Sequence, residues 1–212
     1  AVRIAMNNAT IANTLNSAIA NKNISRATAA ANFTRNTWSS NRVEGQKSWN
    51  LKMMQYYKGV KDTTKYLQQA SSYYEQYYMR LTLDSVRKRD SLNYVNARKK
   101  AIETSKISTN DSITKRTFSF SYSKDRYATE LNNAAWTFYL MAANNNDYLM
   151  KAMLWSRRTI ELSAKPAFYD TYAHLLYRLK FFVEAESMQK KAIEGAQEEK
   201  TDTKLYQEEF EK

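Results

Sequence analysis

Three glycines and one proline in 212 residues leave this chain few ways to turn. The tight turns of β-rich and α/β folds draw on the positive φ that glycine supplies or the fixed φ of proline. A chain poor in both is best served by long helices joined by short polar connections, and the reading from composition is all-α. The length suits one large domain or two small ones. The 43% hydrophobic and 25% charged content is enough to bury a core in water.

Helical periodicity is clearest near the C-terminus. Tyr169, Tyr172, Ala173, Leu176 and Leu179 follow the i, i+3, i+4, i+7 spacing of one buried face. Pro166 suits a first turn, where its missing N–H costs nothing. Phe182, Ala185, Met188, Ala192 and Ile193 form a second stripe, and Gly195 stands where a C-terminal cap is expected. The join at "LKF" is short enough to demand an antiparallel hairpin. Moving back 33 positions, Ala185 maps to Ala152, Met188 to Trp155, Ile193 to Ile160 and Glu194 to Glu161. The helix upstream, "ELNNAAWTFYLMAA", carries Leu131, Ala134, Ala135, Phe138 and Ala142 on one face. "NNND" then breaks the pattern, with Asp147 placed as an N-cap.

This period resembles the tetratricopeptide repeat, a helix–turn–helix unit of about 34 residues with an early aromatic, small residues at helix crossings and a late proline. Trp136 and Tyr169 fill the aromatic slot, Ala173, Ala185 and Ala192 the small slots, and Pro166 ends the first unit. Thr159 replaces the last small residue of that unit, and Lys180 stands where a turn glycine is usual. The resemblance covers about a third of the chain and implies stacked antiparallel helical hairpins in a right-handed solenoid. More narrowly, "LNNAAWTFY", "KAMLWSRRTIEL", "YDTYAHLLYRL" and "EAESMQKKAIE" are similar to the C-terminal helical region of exported bacterial thioredoxin-like proteins. With no cysteine here, the redox chemistry does not carry over. That kinship implies an accessory helical domain working with a fused or partner thioredoxin-like oxidoreductase, and an exported, periplasmic or envelope location. A start at Ala1 rather than Met points to a processed chain or a piece of a longer one. The opening residues have no continuous apolar core, so they do not read as an intact signal peptide.

The first half reads as further hairpins. Trp49, Met53, Tyr56 and Tyr57 make one stripe, and Tyr66, Ala70, Tyr73, Tyr74 and Tyr77 the next. Ile4, Ile11, Leu15 and Ile19 mark helices nearer the start. The expected organisation is basic N-terminal hairpins over 1–103, a linker or protruding loop over 104–126, and two repeats with a capping helix over 127–212. Residues 1–100 carry 17 Lys and Arg against 5 Asp and Glu, whereas 101–212 carry 16 of each. Arg87, Lys88 and Arg89 precede Arg98, Lys99 and Lys100 by eleven positions, so one helix face holds both triplets. A solvated face is the plain reading of such a run, and a weak nucleic-acid or anionic-surface site is the functional one. The tyrosines nearby read as aromatic core ahead of stacking platforms for single strands.

The absence of cysteine excludes disulfides, thiolate metal sites and cysteine nucleophiles from this sequence. His174 is the sole histidine and has no second His or Ser motif near it, which argues against a metal site or a triad. No glycine-rich phosphate loop is present. The expectation is therefore a non-catalytic module without cofactor that binds a peptide or protein in a concave groove. By the resemblance, that groove is lined by Thr137, Met141 and Asn144 in one unit and Asp170, His174, Tyr177 and Arg178 in the next. It lacks the Lys/Asn/Arg set that grips a C-terminal carboxylate. Asp170 instead suits a ligand with a basic or hydrogen-bonding group, crossing Tyr177.

Overall fold

The computed structural model describes residues 2–38, 40–106 and 122–210, and no strand occurs among them. The helices are α1 (Val2–Ala20), α2 (Ile24–Asn36), α3 (Arg42–Gly59), α4 (Thr63–Tyr74), α5 (Leu83–Lys106), α6 (Ser123–Met141), α7 (Asn146–Leu162), α8 (Pro166–Arg178), α9 (Phe182–Glu198) and α10 (Lys204–Phe210). A π-helical turn, Glu75–Met79, continues α4. The chain forms two compact units, residues 1–77 with 140–148, and residues 78–139 with 149–212. Residues 104–106 end α5 and 123–126 begin α6, while 107–121 lie outside the described residues.

In the first unit, neighbouring helices α1 to α4 pack in sequence, and α2 touches both α1 and α3. Its contact face is Ala27, Ala30 and Ala31, buried with Leu15 and Ala18 of α1 and Met53 and Tyr56 of α3. Three methyl-sized side chains on one helix let two larger neighbours close over it. Gly45 sharpens the point, because an added Cβ would lie 2.9 Å from the Arg35 carbonyl oxygen, a backbone atom that cannot swing aside. Most of the striped tyrosines are core: Tyr56, Tyr66, Tyr73 and Tyr74 are buried, whereas Tyr57 and Tyr77 are half-buried. Tyr73 meets Tyr74 edge-on and Tyr77 at a tilt. Ile11 and Leu15 are buried as expected, but Ile4 is exposed.

Four of the helix ends share one device, while the α6–α7 connection instead places Ala143 at positive φ. Lys22, Lys61, Lys180 and Lys200 all have φ between 49° and 67°, the left-handed region normally left to glycine. Each stands two residues past the last residue of a helix and donates its N–H three residues back, to Ile19, Lys58, Tyr177 and Gln197. The next residue donates five back: Asn23 to Ala18, Asp62 to Tyr57, Phe181 to Leu176 and Thr201 to Ala196. This pair of bonds is the Schellman motif, which satisfies carbonyls that a helix end leaves open. In the first two turns the same residue also starts the next helix. Asn23 accepts from Arg26 N–H at 2.9 Å, and Asp62 accepts from Lys65 N–H at 3.1 Å. Lysine at these sites costs backbone strain, and its charge beside the exposed carbonyls offsets part of it.

In the second unit, Asp90 is buried on α5 and caps α6 across the chain. Its two carboxylate oxygens accept from Ser123 N–H at 2.6 Å and Lys124 N–H at 3.0 Å. Helices α6 and α7 then run antiparallel. Phe138 meets Trp155 edge-on at 4.7 Å, and Ser163, just past α7, donates to Asp125 at the start of α6. Helices α8 and α9 pack against each other, with α10 against α9. Ala173, Ala185, Ala192 and Ala152 are buried.

Four local expectations change. The buried face of α8 includes Phe168, Thr171 and Leu175, with Tyr169 and Tyr172 only half-buried. Phe182 is exposed rather than part of the α9 stripe, because it is the first residue after the turn. Gly195 is no cap: α9 runs on to Glu198, and Gly195 gives room to Pro166, whose Cγ would sit 3.3 Å from an added Cβ. Asn145, not Asp147, caps α7, accepting from Tyr148 N–H at 3.2 Å.

The turn geometry sets an order of stability at position 180. Lys180→Gly should raise the urea midpoint with an unchanged m-value. Lys180→Val should lower stability by roughly 1–2 kcal/mol, since a β-branched side chain is least tolerant of positive φ. A stabilising valine would contradict the left-handed assignment.

Candidate functional site

Polar and aromatic side chains converge where α6 faces α8. Trp136 and Tyr139, one turn apart on α6, stack with centroids 4.9 Å apart and planes 21° apart. His174 of α8 meets both edge-on, at 5.3 Å and 5.5 Å. One turn farther along α8, the Arg178 guanidinium lies 4.7 Å over the Tyr139 ring and donates to the Tyr139 carbonyl. A flat cation on an aromatic face is held by the ring quadrupole while its outer edge stays available to solvent. Arg178 is exposed and the other three are half-buried.

His174 Nδ1 lies 2.9 Å from the Asp170 carbonyl oxygen, and a carbonyl only accepts, so the neutral ring carries its proton on Nδ1. The same nitrogen is 3.7 Å from Asp170 Oδ1. That carboxylate oxygen accepts from Gln189 Nε2 at 2.9 Å, and the same amide donates to the Tyr206 carbonyl at 3.0 Å. Asp170 thus ties α8 to α9 and α10, and its carboxylate is turned into the structure rather than presented to a ligand. Burial, followed by Asp170 and Glu199, pushes the Tyr206 phenol above its usual value. Burial likewise raises Tyr172, with Arg157 opposing and Glu184 and Glu161 assisting.

The expected groove residues therefore separate. His174 and Arg178 of α8 meet Trp136 and Tyr139, whereas Asp170 meets Gln189 of α9. Tyr177 turns away to meet Phe182 edge-on at 5.1 Å. It is 59% exposed, with Phe182 at 54% and Val183 at 80%, and Phe181 also exposed. Thr137 spends its hydroxyl on the Asn133 carbonyl of its own helix at 2.8 Å. Met141 and Asn144 belong to the segment 140–148 of the first unit. Sequence reasoning placed Trp136 in a structural slot and passed over Tyr139, Phe181, Phe182 and Val183 as functional candidates. The run "FFV" at a helix start was the missed signal, since three consecutive residues on a helix cannot all face one core.

Lys88, Arg87, Arg89, Arg98, Lys99 and Lys100 lie on one continuous helix, α5, and all six are exposed. Arg89 also donates to the Tyr127 hydroxyl at 2.8 Å. Among the described residues, no group of three or more His, Asp or Glu side chains is arranged to hold a metal. None of the described helices is long and apolar enough to cross a membrane. The chain matches no protein-family model, and no curated protein or solved structure shows significant similarity to it.

The Tyr206 environment gives a pH test. A phenol raised by burial keeps its proton longer when folded, so its contribution is complete below pH 10.0, the ordinary tyrosine value. That contribution is lost as pH rises through the folded value. Asp170→Asn should lower the Tyr206 transition in a near-ultraviolet phenolate titration but leave it above the ordinary value, since burial remains. An unchanged transition would mean that the Asp170 charge does not reach the ring.

Proposed function

We propose that this chain is a non-catalytic protein-interaction module of the tetratricopeptide type, with α6–α7 and α8–α9 as two repeat hairpins. The sequence period, the buried alanines at the helix pairs and the direct meeting of the first helices, α6 and α8, support that architecture. In such a stack, first helices lie side by side and line the ligand-facing surface.

One observation carries the binding proposal: the aromatic edge where α8 turns into α9. Tyr177, Phe182 and Val183 are largely exposed, contiguous through the Lys180 turn, and adjacent in sequence to exposed Arg178. Aromatic rings and arginine are the side chains most often found at the energetic centre of protein interfaces. An exposed apolar cluster rimmed by charge is a usual mark of such a surface. The ligand is a peptide segment that places an apolar side chain on Tyr177 and Phe182. An acidic group on the peptide pairs with Arg178. This replaces the basic partner expected opposite Asp170, whose carboxylate is bonded to Gln189.

A peptide array probed with the full chain should select apolar residues flanked by Asp or Glu. Tyr177→Ala and Arg178→Glu should each weaken binding of the selected peptides at least about tenfold, the usual loss at an interface hot spot. Because both side chains are exposed, the melting temperature should stay close to that of the parent. Selection that is unaffected by either substitution would refute this surface as the binding site.

A further inference from the structure

Helix α5 departs from the rule that a helix in a folded unit hides an apolar stripe. It is anchored near its start, where Val86 is buried and Asp90 caps α6. From Ser91 to Ile102, every side chain except Ala97 is exposed. Three of these are large and aliphatic, with Leu92 at 65%, Val95 at 52% and Ile102 at 46% exposure. None is explained by the α8–α9 edge proposed above, which uses other helices.

At about 100° per residue, Lys88, Leu92, Val95, Lys99 and Ile102 fall within an arc of about 80°, centred opposite Val86 and Asp90. The apolar side chains and two lysines therefore share the outward face. Arg87 and Arg98 flank it on one side, and Arg89 and Lys100 on the other. Between residues 87 and 102 there are six cations and one anion, Asp90, and that anion is spent on the α6 N-terminus.

We propose that this face of α5 docks on the surface of an anionic lipid bilayer. Charge complementarity demands a negative partner. The aliphatic side chains interleaved with the lysines distinguish a bilayer from a nucleic acid. A phosphate backbone would use the cations and leave Leu92 and Val95 against hydrated groups. At a bilayer, these side chains enter the boundary between headgroups and acyl chains, while the long lysine stems carry their charges outward to lipid phosphates. Clusters of four to eight Lys and Arg on such a helix bind acidic lipids through additive, salt-sensitive attraction. The helix lies along the surface and does not span it, in accord with the lack of a membrane-crossing helix among the described residues.

The test is flotation of the full chain with vesicles of phosphatidylcholine alone or phosphatidylcholine with phosphatidylserine. Binding should require phosphatidylserine and fall steeply with salt. Lys88→Gln with Lys99→Gln should weaken it about thirtyfold. Leu92→Asn with Val95→Asn should weaken it several-fold with all cations retained. Because the chain has no cysteine, Leu92→Cys accepts a single environment-sensitive fluorophore. Its emission should shift blue with phosphatidylserine vesicles, while the same label at exposed Gln55 should not shift. Equal binding to neutral vesicles, no effect of the Leu92 and Val95 pair, or no shift at position 92 would each overturn the proposal. So would tighter binding to duplex DNA than to the vesicles at the same salt. Loss of this binding alongside intact peptide selection separates it from the α8–α9 surface.

Discussion

A chain that must reverse direction repeatedly with almost no glycine has to place another residue in the left-handed region, and everything downstream depends on how it does so. Here that residue is lysine in four Schellman turns, at 22, 61, 180 and 200. The strain is of the order of 1–2 kcal/mol per site. It is offset by paired backbone bonds and by positive charge beside a helix C-terminus, whose dipole favours cations. The first three of these connections are three residues long and allow no slack. In the α8–α9 turn, Phe181 is fixed by its N–H bond to Leu176, and Phe182 and Val183 are carried outward. The exposed aromatic edge is thus a consequence of the turn chemistry and the "FFV" sequence together.

Hairpins closed this tightly also force their helices together, and small side chains occupy the meeting points. Ala27, Ala30 and Ala31 on α2, and Ala173, Ala185 and Ala192 on α8 and α9, are all buried. A methyl group removed from water contributes little by area. The value of alanine here is indirect, because it lets large neighbours such as Met53, Tyr56, Leu175 and Leu176 reach full burial. Gly195 against Pro166 extends the same logic one step smaller.

Helix identity and much of the core were legible from spacing alone, since a 3.6-residue period in Tyr, Leu and Ala admits little else. Helix ends were less legible. Gly195 looked like a cap because glycine usually ends helices, yet close packing can demand glycine just as firmly. Lys180 was visible as a substitute for a turn glycine, but Lys22, Lys61 and Lys200 were not, because lysine carries no turn signal of its own. The groove was read from helical phase, which sets Asp170, His174 and Arg178 four residues apart along α8. Phase could not show that Gln189 would draw the Asp170 carboxylate inward, nor that Tyr177 would pair with Phe182. Those outcomes depend on side chains from another helix, and periodicity within one helix does not contain them.

The four turns provide the most direct test of this account. The amides of Asn23, Asp62, Phe181 and Thr201 each donate to a carbonyl five residues back, a bond that exists only if the preceding lysine is left-handed. Amide hydrogen exchange resolved by residue should show these four protected well above open-chain rates, to a degree comparable with the helix ends they close. Exchange at open-chain rates for all four would contradict the claim that lysine-centred Schellman turns close the hairpins.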